Sequence, residues 1–428
     1  MNVFIKLLMC LSVSFICRNV SAQTDTIYLS TAQAEDLFIR QNLELIAGRL
    51  EIDIAEAEIM QARLWPNPTF FVEDVNLWTS NDFLDEMAEI FPNRSPTPNR
   101  QFAIGIEQVI VTGGKRRKLV ALEQVSRDIA IQYFEELLRC LKIELRSACT
   151  EMLFLQEYRK VLEKQRINLD ALIGNYRNQV ERGNVARSEL IRLQAELLGV
   201  RSEINELQRA LNEQQKELKV LLNISTPTHI VITTSNLNIK TPSELSLGNL
   251  FELAENSRPD LKEVMFQVNY SERLLQYERA QRIPDLTLSA FYDRAGGVGP
   301  NFIGFGASID LPFFDRNQGS IRVAQISINQ SQTLAKQKQL EVHSEIIHAL
   351  QNYSQAYEFN RQISDEFISD LDEIFESYNR NFVNRNIGIL EFLDFFEAYK
   401  ENKHTILEAQ KEVKKSFEEL QYAVGTEL

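Results

Sequence analysis

The chain contains itself twice, and that limits the folds open to it. Ala62-Arg-Leu-Trp-Pro66-Asn-Pro-Thr69-Phe70 matches Ala280-Gln-Arg-Ile-Pro284-Asp-Leu-Thr287-Leu288 at an offset of 218 residues. Tyr176 to Glu189 matches Tyr378 to Glu391 without a gap at an offset of 202. The offsets differ by 16, so the first copy holds about 16 extra residues between the two anchors. Loops tolerate insertion. The polar stretch Asn76 to Asn99, with Pro92, Pro96 and Pro98, is the place for them, and its counterpart Arg294 to Asn301 is short. Each copy then reads helix, strand, loop, strand, long helix, turn, helix.

The strands show as a period of two. Phe102, Ile104 and Ile106 alternate with Ala103, Gly105 and Glu107. Leu286, Leu288, Ala290 and Tyr292 alternate with Thr287, Ser289, Phe291 and Asp293. Phe305, Ala307, Ile309 and Leu311 alternate with Gly306, Ser308 and Asp310; around Phe70 and Val72 the alternation is less clean. One face is apolar and the other small or polar. That suits lipid on one side and water on the other, and equally a half-buried soluble sheet. Strands are expected at about 67–76, 100–110, 285–293 and 302–312. Trp65 and Trp78 flank the first of them, as interfacial tryptophans do.

The helices are long. From Lys115 to Tyr176 there is no proline, and Gly174 is the one breaker. Sixty helical residues span about 90 Å. Leu190, Leu193, Leu197, Val200, Ile204, Leu207 and Leu211 recur at alternating spacings of three and four, a heptad seam. Leu141, Leu145, Ala148, Met152 and Leu155 do the same on the preceding helix. Short turns join the helices into antiparallel hairpins. The second copy is expected to run as one helix from Gln318 to about Phe382 and then from Ile389 to Val424. The repeats are placed at 23–223 and 247–428, with a linker at 224–246 in which His229-Ile-Val-Ile-Thr233 reads as a short strand.

Residues 1–22 read as an export signal: Lys6, an apolar Leu7 to Cys17, then Val20-Ser21-Ala22 before Gln23. Its removal takes away two cations and moves the net charge from −14 to −16. So acidic a chain argues against nucleic acid as a partner. Cys140 and Cys149, nine apart in a helical stretch, are too distant for a bridge within one helix and read as packing residues. No later segment has eighteen consecutive apolar residues, which excludes a helical membrane protein but not a β-barrel. Gly113-Gly114-Lys115-Arg116 lacks the first spaced glycine and the Ser or Thr of a phosphate loop, and reads as a strand-to-helix turn. Four scattered histidines (His229, His343, His348 and His404) give no ligand spacing, and no nucleophile is paired with a base. No catalytic residue, metal ligand or cofactor is expected.

Four strands leave two bare edges, and in lipid each unpaired backbone group costs several kcal/mol. The sheet must close with other chains. Two chains would give eight strands and a filled interior, and three would give twelve and room for water.

The pattern resembles the TolC-like outer-membrane efflux family, and within it the heavy-metal-efflux, CzcC-like branch. Ala62-Arg-Leu-Trp-Pro-Asn-Pro, Arg258-Pro259-Asp260-Leu261 and Asp310-Leu-Pro-Phe-Phe-Asp-Arg-Asn-Gln-Gly319 carry the resemblance, together with the turns after Tyr176 and Tyr378. It implies a mainly α fold with membrane β. Long antiparallel coiled-coil helices would form an α-barrel, and four strands per chain would enter a trimeric 12-stranded transmembrane barrel in the outer membrane. The implied partners are two further copies, a periplasmic adaptor and an inner-membrane RND-type pump. The cargo would be metal ions or drugs.

In the family, the position of Glu391 and Asp394 carries two acids that line the closed periplasmic entrance. Being three apart they share a helix face. Three copies would stack two carboxylate rings, which favour cations and repel each other. A solvated helix face explains the pair equally well from sequence. Here Glu391 departs from the more usual Asp. The turns Arg182-Gly183-Asn184-Val185 and Arg385-Asn386-Ile387-Gly388 are candidate adaptor contacts, with Arg385 standing where the first copy has Gly183. Glycine and asparagine there also serve the left-handed backbone of a tight turn. A soluble coiled-coil adaptor and an exit duct for secreted polypeptide are the alternative readings.

Overall fold

The computed structural model describes residues 25–76, 85–86, 89–90, 92, 101–233, 239–296 and 299–428. The export signal and its cleavage point, Trp78 and most of the proline-rich insertion lie outside them. The element order is β1 (Thr26–Ser30), α1 (Thr31–Gln41), α2 (Leu43–Arg63), β2 (Thr69–Asn76), β3 (Gln101–Ile110), α3 (Lys115–Glu181), α4 (Arg187–Leu221), β4 (His229–Thr233), α5 (Leu247–Ser257), α6 (Pro259–Gln281), β5 (Leu286–Gly296), β6 (Gly299–Ile309), α7 (Gln318–Arg361), α8 (Asp365–Val383) and α9 (Ile389–Val424). α3 alone runs 67 residues, about 100 Å at the helical rise. Among the described residues no helix is long and apolar enough to cross a membrane.

Two expectations need correction. The helix drawn from Gln318 to Phe382 is interrupted: α7 stops at Arg361, and Ser364 starts α8 by accepting a bond from the Phe367 N–H. The short loop drawn at Arg294 to Asn301 is mostly strand, because β5 continues to Gly296 and β6 begins at Gly299. Backbone pairing carries the ladder through glycines that give no periodic signal.

The chain divides into two compact units whose boundaries fall beside Gly48, Phe134, Arg258 and Leu340. The first unit holds β1, β4 and the helical hairpins. β1 and β4 pair in parallel, from Thr26 with His229 to Ser30 with Thr233. The Gln215 side chain bonds both backbone groups of Ile230, which ties β4 to α4. Leu193, Leu197, Val200, Leu207 and Leu211 are buried along α4, and all five seam residues from Leu141 to Leu155 are buried on α3. Arg258, 1% exposed, reaches Glu345 Oε2 and the Ala423 carbonyl at 2.7 Å each. Gly425 ends α9 with φ +82°, and a Cβ there would come within 2.8 Å of Arg258 Cγ.

The second unit holds one four-stranded antiparallel sheet, ordered β2-β3-β5-β6. The two hairpins are the two copies of the repeat, joined side by side through β3 and β5. At the root of the sheet, Gly113 and Gly114 take positive φ and turn the chain into α3. Lys115, 7% exposed, pairs with Asp285 at 2.8 Å, so this lysine serves a structural turn.

Candidate functional site

Two features of the described residues bear on function: the faces of the sheet and the tips of the hairpins. In the sheet, the register aligns Phe70, Ile106, Ala290 and Phe305 in one cross-strand row and Val72, Ile104, Tyr292 and Ile303 in the next. Both rows lie on one face, because strand residues two apart share a side. That face is open: Phe305 is 84% exposed and Phe70 68%. On the other face Thr69, Glu107, Ser289 and Gly306 form one row, and Glu73, Ala103, Asp293 and Phe302 another. Between them runs Phe71, Gly105, Phe291, Gly304. Each ring of this row lies over the neighbouring glycine; a Cβ on Gly105 or Gly304 would stand 2.4 Å from a phenylalanine Cζ. So wide an exposed apolar face, backed by a polar one, is foreign to a chain that stays alone in water. The outer edges of β2 and β6 have no strand partner among the described residues.

The tips repeat each other in atomic detail. At the end of α3, the Asn184 N–H donates to Gln179 O (2.9 Å) and the Gly183 N–H to Val180 O (3.0 Å). At the end of α8, the Asn386 N–H donates to Asn381 O (2.9 Å) and the Arg385 N–H to Phe382 O (3.1 Å). This bond pair is the Schellman helix ending. Its left-handed residue is Gly183 with φ +70° in one copy and Arg385 with φ +62° in the other. The following asparagine locks each turn from its side chain, Asn184 to Gln179 Oε1 and Asn386 to Asn381 Oδ1. Arg385 also donates to Gln179 Oε1 at 3.0 Å, so it links one tip to the other. A cleft of about 460 Å³ opens between the turns, lined by Tyr176, Val185, Glu189, Arg385, Ile387 and Leu390. Tyr176 stacks on Phe382 with ring centroids 5.1 Å apart.

Glu391 and Asp394 are exposed on the first turns of α9, with no hydrogen bond or ion pair among the described residues. The opposite face of α9 is packed: Phe392 stacks on Phe382 at 4.2 Å, and Phe396 and Tyr399 are buried. The 202-residue offset pairs Glu391 with Glu189, and both occupy the third residue of their helix. An acid there suits the positive end of the helix dipole. Asp394 has no such excuse, since the first copy has Arg192 in its place.

Sequence reasoning missed a polar cluster farther up this hairpin. Asp372 on α8 accepts from the Tyr399 hydroxyl and from Lys403 Nζ, both at 2.8 Å. Burial pushes this carboxyl up, but the two donors more than offset it and hold it below the usual carboxylate range. Burial foremost, and then the Asp372 carboxylate, push the Tyr399 phenol up. The Asp-x-x-Phe and Tyr-x-x-x-Lys spacings lie on separate helices, so no local signal joins them. Among the described residues, no group of His, Cys, Asp and Glu is placed to hold a metal ion.

Duplicated helical hairpins together with a two-faced sheet drawn from both copies are the features of an outer-membrane channel chain. The chain belongs to the outer membrane efflux protein family, whose family model matches residues 36–223 and 250–426. It is thus an outer-membrane protein with a long periplasmic helical part. It is 25% identical over 301 residues to the cobalt-zinc-cadmium resistance protein CzcC of Cupriavidus metallidurans, which covers 68% of this chain. The match spans 65% of that relative's own length, just under two thirds. Its fold is that of the CusC crystal structure (TM-score 0.72, 17% identity, 96% of each chain). The CmeC outer membrane channel of Campylobacter jejuni is similar too (TM-score 0.74, 13% identity, 92% of this chain and 85% of that one).

Proposed function

We propose that the chain is one third of a passive exit duct for efflux, closed only when three copies meet. The observation that carries this is the sheet: one largely apolar open face, one face of small, polar and aromatic residues, and two edges without a strand partner among the described residues. A backbone edge in lipid must find a partner, and joining β6 of one copy to β2 of the next closes twelve strands around water. The helical hairpins would close likewise into a twelve-helix tube. The working partners are then two further copies, a periplasmic adaptor at the tips and an inner-membrane RND-type pump that supplies the energy. The tip cleft supports the adaptor reading, because its lining sets Val185, Ile387 and Leu390 beside Glu189 and Arg385 and so suits a side chain from outside. Metal ions are the favoured cargo, on the likeness to a cobalt-zinc-cadmium resistance protein.

Glu391 and Asp394 act in this reading as two stacked acidic rings at the periplasmic entrance. Their exposure, and the lack of partners for them among the described residues, support it. Single-channel recording in planar bilayers tests both levels. The wild type should conduct with cation preference, and Glu391→Ala combined with Asp394→Ala should lower that preference and change the current. Unchanged selectivity and current would remove the rings. A protein that forms no channels, and that runs as a monomer without heat-sensitive oligomers, would remove the duct.

A further inference from the structure

The register places four segments at one end of the sheet: the approach to β2, the exit of β3, the approach to β5 and the exit of β6. They are residues 63–68, 111–118, 279–285 and 310–317, and they carry eight basic residues against three acidic ones in a chain of net charge −14. One of the three acids, Asp285, is already held by Lys115. Arg63, Arg117 and Arg282 are exposed and have no carboxylate partner among the described residues. The Arg116 guanidinium carbon stands over the Trp65 indole, 4.0 Å from the ring centroid. A cation held on a ring in this way keeps N–H donors for an acceptor.

Apolar rings stand among these cations. Phe314 is 96% exposed, Phe313 67% and Trp65 54%. Leu311 and Phe313 continue the odd-numbered alternation that puts Ile303, Phe305 and Ile309 on the apolar face. Cations, a tryptophan, exposed phenylalanines and the border of an apolar face together match one environment, the headgroup layer of a bilayer. Free arginine favours phosphate oxygens, with paired N–H donors.

We propose that this end of the sheet is a docking belt for anionic phospholipid, with Arg116 and Arg117 holding headgroup phosphates and Trp65, Phe313 and Phe314 seated among the first acyl carbons. The proposal rests on the reading of the sheet as membrane-embedded. It predicts a lipid preference that the chain's overall negative charge would oppose.

The test uses the full-length protein in nanodiscs of phosphatidylethanolamine doped with phosphatidylglycerol, followed by native mass spectrometry of retained lipid. The wild type should retain phosphatidylglycerol over phosphatidylethanolamine by about fivefold for each engaged cation. Arg116→Gln with Arg117→Gln should bring the ratio near unity, and Arg116→Lys with Arg117→Lys should restore part of it. Millimolar inorganic phosphate should leave the wild-type ratio in place; if it abolishes the preference, the site reads a free anion and the lipid proposal falls. An unchanged ratio in the glutamine variant, with heat-sensitive oligomers still present, overturns the belt alone. A wild type that enters no bilayer overturns the membrane reading of the sheet and the belt with it.

Discussion

Glu418 is a carboxyl in the wrong solvent. It is 3% exposed on α9, and its Oε2 has no hydrogen-bond partner among the described residues. Burial lifts it to about 7, against the pull of Lys414 on its own helix and Arg146 on α3, while Glu35 on α1 pushes it further up. The folded state therefore keeps a proton that the unfolded chain loses near 4.5. Folding takes up that proton between the two values, so stability falls as pH rises through the window and stays lower above it. Glu418→Gln should raise stability at pH 8 by roughly 2 kcal/mol and leave pH 5 nearly unchanged; thermal melts at both values measure it. Sequence gave no hint of this. Glu418 sits in Lys414-Lys415-Ser416-Phe417-Glu418-Glu419, which reads as a solvated face. The burial comes from α1 and α3, hundreds of residues away. Arg258 is the converse case: its motif stood out in sequence, but its reason, the end of α9 at Ala423 and Gly425, shows only in the fold.

At the scale of elements, heptads and alternation made the hairpins and strands legible, because burying a stripe or a face forces a period. The break between α7 and α8 escaped. Gln362 and Ile363 hold neither proline nor glycine, yet Ser364 followed by Asp365 and Glu366 is a helix start. That local signal was present and was overridden by the analogy with the unbroken helix of the first copy. Ser364→Ala removes the cap and should cost about 1 kcal/mol. Hydrogen exchange should show it as faster exchange at the first turn of α8, with the tips unaffected. β1 was missed for another reason: five residues pair in parallel with β4 across the whole first repeat, and no local pattern marks so distant a partner.

At the scale of the molecule, the compact units do not follow the repeats. Each unit draws segments from both copies, so neither copy has a core to itself. Sequence revealed the duplication but not this division, since it depends on which copies of each element meet. The sheet faces give the sharpest molecular prediction. Phe305→Arg puts a charge on the apolar face, where it costs about 2–4 kcal/mol near the middle of a bilayer. Membrane fractions should then show loss of heat-sensitive oligomer. Ser308→Arg, on the polar face of the same strand, should assemble normally.

The matched tips have a further consequence. Both turns keep the same bonds although one is built on glycine and the other on arginine. The polypeptide thus carries its own control: any partner that grips one turn meets the same backbone bonds again on the same molecule, with Asn384, Arg385 and Ile387 in place of Arg182, Gly183 and Val185. In a closed ring of three copies the two kinds of turn would alternate, so whatever docks there must either tell one set of side chains from the other or bind in twice the number of the chains.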